Sequence, residues 1–171
     1  MVGDPTVSAA SLTLTSIMRI FGQYQAYQSS KLRDTDRGLR EEISRRITMI
    51  MTHLNTLEAR MLNASDAAGL LVSKRIREDL VSFMQDTQFT PTGSTDGNSM
   101  AAPLKKKQVK TLMEHDLEVL KRLVESTHLM NAIVEASSVQ EQPSQSLEEL
   151  EQKLVGCRNR FNDRTSFLNK L

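Results

Sequence analysis

Apolar residues recur along this chain at steps of three and four, the spacing that sets them on one face of a helix. The pattern is sharpest over residues 39–62, where Ile43, Ile47, Ile50, Leu54, Leu57 and Met61 alternate steps of four and three. Ile47, Leu54 and Met61 then share one core position of a 3.5-residue repeat, and Ile43, Ile50 and Leu57 share the other. So narrow a seam predicts pairing with one partner helix in a left-handed supercoil. Upstream, Leu12, Ile17, Ile20, Phe21, Tyr24 and Tyr27 draw one apolar face over residues 8–30. Its Ser and Thr content lowers helix propensity, so packing must hold this helix. Between the two, residues 32–38 are polar, offer Asp34, Thr35 and Asp36 as N-caps and end at Gly38, which predicts a joint. Asn63, Ala64 and Ser65 predict a second break, with Ser65 or Asp66 capping a third helix that ends near Asp86. That helix is expected to bury Val72, Ile76, Leu80, Phe83 and Met84.

Residues 90–103 hold two Pro, two Gly and several Ser, Thr, Asp and Asn with hardly any apolar content, the composition of a flexible linker. A fourth helix is predicted over 104–137. Its Val109, Leu112, Met113, Leu117, Val119, Leu120, Leu123, Val124, Met130 and Val134 fill an arc of roughly 160°, wide enough to pack against two neighbours at once. The chain breaks again around Pro143, and Ser146 with Glu149 spells a capping box ahead of a fifth helix. There Leu147, Leu150, Leu154, Cys157, Phe161 and Leu168 step by three and four, interrupted by Arg164. Glu148, Glu149 and Glu151 near its start and Arg158, Arg160, Arg164 and Lys170 near its end complement the helix dipole. The organisation expected is helices over 1–88, a linker over 89–103 and a helical hairpin over 104–171, together one domain.

Composition narrows the function classes. Among 171 residues, 22 Lys+Arg balance 21 Asp+Glu, which argues against a general polyanion binder, and 4% aromatic content argues against base-stacking platforms. Seven Gly and four Pro are few for a β-sandwich or barrel. The single cysteine, Cys157, cannot form an internal disulfide, and residues 1–11 lack the cationic and apolar runs of a secretory signal. No stretch approaches the roughly 18 apolar residues of a membrane span. A cytoplasmic protein is expected, with Lys105, Lys106, Lys107 and Lys110 as a weak nuclear-import pattern.

Candidate chemistry is sparse. Glu125 and His128 make one E-x-x-H, the helical spacing of di-iron carboxylate bundles, but no second copy exists and both lie opposite the apolar arc with Glu114, Glu118 and Lys121. A solvated face is the reading taken, with no metal or cofactor expected. Cys157 falls on an apolar stripe, where a free cysteine behaves as a small hydrophobe. Asn63-Ala64-Ser65 matches a glycosylation sequon that has no consequence without export. More informative are Asp116, Thr127 and Asn131, which fall inside the arc of the fourth helix. A carboxylate in a core is costly unless paired, so either these residues mark a partner or polar network that fixes register, the reading taken for Asp116, or they sit at the exposed end of the arc. Arg164 is the candidate mate of Asp116 by charge.

The expectation is an all-α, antiparallel bundle of four to five helices with coiled-coil-like heptad seams, acting as a non-enzymatic structural or adaptor subunit. Its partners would be other protein subunits or copies of itself; nucleic acid is not expected. The contact residues are assigned to Ile43, Ile47, Ile50, Leu54, Leu57 and Met61, to Asp116, and to Leu150, Leu154, Phe161 and Leu168, on the ground that these seams leave apolar edge uncovered. The alternative is a small helical chaperone or trafficking regulator, for which Met49, Met51, Met113 and Met130 would furnish an adaptable groove. If the seams are intermolecular, replacing Ile50 and Leu57 by Asp abolishes assembly, read as solution mass, while Glu118→Ala and Glu125→Ala leave it intact.

Overall fold

Four helices form over the residues that the structure, a computed structural model, describes: 32–89, 105–137 and 144–168. They are α1 (Leu32–Asn63), α2 (Ala67–Phe89), α3 (Lys106–Ala136) and α4 (Ser144–Leu168), and no strand occurs among the described residues. The helix expected over 8–30, most of the connector 89–103 and Leu171 lie outside them. No described helix is long and apolar enough to cross a membrane.

The first departure from expectation is at residues 32–38, which are helix and not a joint. Asp36 is buried, and its carboxylate accepts hydrogen bonds from Arg40 at 2.7 Å and Arg164 at 2.7 Å. A side chain held by such partners does not turn back to cap a backbone N–H, so α1 continues through Gly38 to the buried Leu39. The break after Asn63 forms as predicted. Ser65 takes the left-handed conformation at φ 57°, its N–H donates to Leu62 C=O, and the Asp66 N–H donates to Met61 C=O, the paired bonds of a Schellman stop. Asp66 then caps α2, its Oδ1 accepting from the Gly69 N–H at 2.9 Å. A Cβ on Gly69 would lie 2.4 Å from Asp66 Oδ2 and 2.5 Å from Met61 Sδ, so any larger residue there displaces the capping carboxylate and the Met61 side chain.

The remaining boundaries shift where a buried side chain extends the helix. α2 runs past Asp86 to Phe89 because Thr87 is a core residue, its hydroxyl satisfied by the Phe83 carbonyl at 2.8 Å. α3 begins at Lys106, with the Lys105 N–H donating to Gln108 Oε1 at 2.8 Å. α4 begins at Ser144, so Ser146 and Glu149 lie inside it and form no capping box. The buried Leu147 draws this first turn into the core.

Side-chain bridges give the directions. Arg77 to Glu58 joins antiparallel α1 and α2, while Arg164 to Asp116 and Cys157 to the Val119 carbonyl join antiparallel α3 and α4. Arg60 near the end of α1 donates to the Val134 carbonyl at 2.6 Å and Ser137 Oγ at 2.8 Å, near the end of α3, so those helices run parallel. Arg75 to Glu151 and Arg158 to Asp86 make α2 and α4 parallel as well. Each helix thus packs against two neighbours, α1 and α4 both lying between α2 and α3. The bundle is two antiparallel hairpins side by side, not antiparallel throughout.

The core follows the apolar arithmetic. Val72, Ile76, Leu80 and Phe83 of α2 and Val109, Leu112, Val119, Leu120, Leu123, Val124 and Met130 of α3 are buried, with Met84, Met113, Leu117 and Val134 partly so. Each fully buried Leu or Ile contributes about 1.5–3 kcal/mol. Phe83 and Phe161 meet between the hairpins with ring centroids 5.8 Å apart.

The turn after α1 yields a test. Gly69→Ala, favourable by helix propensity alone, is expected to destabilise the protein by about 1 kcal/mol because it displaces the Asp66 cap. Ser65→Gly is expected to stabilise it by up to about 1 kcal/mol by relieving the left-handed residue. Urea unfolding midpoints of the two variants check both signs.

Candidate functional site

At the end of the bundle where α1 and α3 begin and α2 and α4 finish, the core stops being apolar. Counting in sevens along α1 from Leu57 through Ile50 and Ile43 reaches Asp36, and along α4 from Leu150 through Cys157 reaches Arg164. On α3 the line Val109, Asp116, Leu123 and Met130 has one charged member, and on α2 the step from Ser73 through Leu80 reaches Thr87. Asp36, Asp116, Arg164 and Thr87 are all buried.

Arg164, fully buried, ties them together. Its Nε donates to Asp116 Oδ1 and its Nη1 to Asp36 Oδ1 at 2.7 Å. Asp36 Oδ2 takes the Nε of Arg40, whose Nη1 reaches the Thr87 carbonyl on α2 at 2.6 Å. The Arg40 guanidinium also lies 5.6 Å above the Phe161 ring, a cation–π contact. Two carboxylates and two guanidiniums from α1, α3 and α4 therefore alternate with no net charge, and Arg40 carries the chain on to the α2 backbone. Burial opposes the charge on Arg164, but Asp116 and Asp36 outweigh it and raise its pKa above the ordinary arginine value. Among the described residues, Asp36, Arg40 and Thr87 also line an open groove of ≈ 1090 Å³ between α1 and α2, with Ser44, Thr48 and Met84.

The charge-based pairing of Asp116 with Arg164 is present in the structure. Thr127 is buried and satisfied by the Leu123 carbonyl at 2.8 Å, and Asn131 is half-buried with Oδ1 unpartnered. The apolar residues assigned to partner contact sit elsewhere than an outer surface: Ile43, Ile47, Ile50, Leu54, Leu57, Leu150 and Phe161 are fully buried, Met61 and Leu154 nearly so, and Leu168 packs on the core edge. The chain covers its own seams because each is flanked by two helices, not one. Sequence reasoning missed this role of Asp36, taken as a capping residue, and gave Arg40 no role. The seven-residue count back from Ile43 was the signal that places Asp36 in the core.

Other candidates resolve individually. Burial pushes the Cys157 thiol up to about 12, against a smaller opposing pull from Arg122, and its Sγ faces the Val119 carbonyl at 3.4 Å. That is a packed thiol and not a nucleophile. Glu125 and His128 are both exposed, and no group of three metal-ligating side chains occurs among the described residues. Lys105, Lys106, Lys107 and Lys110 are exposed on the first turns of α3. Of the methionines weighed for a groove, Met130 is in the core, Met51 and Met113 pack against it, and Met49 is at the surface.

Comparison with known proteins finds no protein family, no curated protein and no solved structure that matches this chain. The network nonetheless makes a sharp prediction. Asp116→Ala leaves Arg164 under-compensated and is expected to cost about 3–5 kcal/mol, whereas Asp116→Leu with Arg164→Met removes the pair together and should lose far less. Equal losses in the two variants on urea unfolding would contradict this account.

Proposed function

We propose that this chain is a non-enzymatic interaction protein, a helical structural or adaptor subunit that assembles with copies of itself or other chains. The observation that carries the reading is the distribution of exposed apolar side chains. Five of the six large ones among the described residues, Met49, Leu62, Leu71, Val81 and Phe89, belong to the α1–α2 hairpin, and the sixth is Val155. On α2, Leu71 is 64% exposed, Val81 42% and Phe89 78%. Leu71 and Phe89 are five full turns apart and so share one line on the helix, with Val81 within about 80° of it. Scattered surface apolar residues are ordinary, but three large ones exposed on one helix suit contact with another helix.

In this reading the 3.5-residue repeats of α1 and α4 are coiled-coil-like seams closed within one chain, and the partner is added outside them. Substituting Ile50 or Leu57 would therefore unfold the protein and say nothing of assembly. The informative variant is Leu71→Asp with Val81→Asp and Phe89→Asp, compared with the wild type by light scattering and circular dichroism. A wild-type oligomer that this variant converts into a monomer of equal helicity supports the proposal. A wild type monomeric at every concentration refutes self-assembly, and an oligomer indifferent to the three substitutions refutes the α2 face.

A further inference from the structure

Beside the charge network lies a group it does not use. His115 stands on the flank of α3 that faces α4, its ring 5.8 Å from that of Phe167 and tilted by 35°. Its Nδ1 is buried and has no hydrogen-bond partner. The charged groups around it are Arg160, Asp163 and Arg164 of α4 and its own neighbour Asp116 on α3. α1 reaches this cluster through Asp36, which is bound to Arg164 and Arg40. The acids nearby are already engaged: Asp116 holds Arg164, and Asp163 lies 3.8 Å from Arg160 Nη1. The Nε of Arg160 is itself buried without a partner.

A neutral imidazole fits this site, packed on Phe167. An imidazolium would add a third cation beside Arg160 and Arg164, and its new Nδ1–H would find no acceptor where it stands. Relief is nearest through α4, because Phe167, which covers the ring, is only partly buried. Lifting that turn frees the ring of His115 to water while Arg164, one turn earlier, stays bound.

We propose that His115 is an acid-released latch, protonation of which lifts residues 165–168 of α4 from α3 and uncovers Phe167 and Leu168 while the rest of the bundle stays packed. The electrostatics agree in sign. Burial first, then Arg160, lowers the His115 pKa from its ordinary 6.5. A group depressed in this way favours the closed state fully above that ordinary value and progressively less as pH falls from it toward the folded pKa.

The test follows amide exchange of the full chain by NMR from about pH 7.5 to about pH 5, corrected for intrinsic rates, while the His115 imidazole is titrated in the same samples. Protection over residues 165–168 is expected to be lost progressively as the His115 imidazole titrates, while residues 147–158 keep theirs. His115→Phe, which retains the ring contact, and His115→Gln, which is neutral and polar, are each expected to abolish the fall. A wild type whose protection over 165–168 holds as the imidazole titrates overturns the latch. So does an equal fall in whichever of the two variants folds.

Discussion

A guanidinium buried in a helical core has to be met by carboxylates, and at Arg164 that requirement reaches every helix described. Its two partners come from α3 and α1, and the second of them, Asp36, is shared with Arg40, which continues to the α2 backbone at Thr87. Removing charge from water costs several kcal/mol per ion, so this arrangement is not an efficient source of stability compared with apolar packing. Its effect is geometric. The apolar positions of four helices tolerate rotation and sliding at modest cost, whereas the arginine fork accepts its two carboxylates in one alignment only.

That alignment bears on how the hairpins meet. Within each hairpin the turn or the antiparallel apolar contact sets the register. Between hairpins, the polar bridges are carried by arginines at both ends: Arg60 and Arg75 at the end of the α1–α2 turn, Arg158 and Arg164 at the other. Three of the four are partly solvated and individually worth little, as surface ion pairs are. Arg164 alone is in the dry core, where a one-turn slip of α4 would take it away from both of its carboxylates. The polar layer therefore discriminates among alternative packings that the leucines and isoleucines alone would leave close in energy.

Much of this was legible because helical periodicity is a local property. Steps of three and four place the core residues of α1, α2, α3 and α4 correctly, and the Asn63–Asp66 break carries its own turn chemistry. What escaped notice was tertiary. Asp36 reads as a cap when residues 32–38 are considered alone, and only the partner arriving from Arg164, 128 positions away in sequence, keeps it in the helix. The apolar edges of α1 and α4 look uncovered when each seam is counted singly. Their burial depends on α2 and α3 flanking both; the wide arc of α3 encodes two neighbours for that helix, but not which two. Asp116 was found because it breaks an otherwise apolar arc, and a violated local rule is visible wherever the rule itself is strong.

The same logic separates inside from outside when function is considered. Side chains that looked available for a partner, the seam residues and Asp116, are engaged within the chain, so an intermolecular role has to be carried by what the bundle leaves over. What it leaves over is asymmetric: α3 and α4 present mainly charged outer faces with Val155 the one large exposed apolar side chain described there, whereas α2 presents Leu71, Val81 and Phe89 beside Lys74, Arg75 and Glu78. Because the internal charges are neutralised in pairs and fixed by the core, a partner seated on α2 would meet a surface that does not need to repack. A rigid outer helix face loses little conformational entropy on binding, and this favours a docking role for α2 over one that would require opening the bundle.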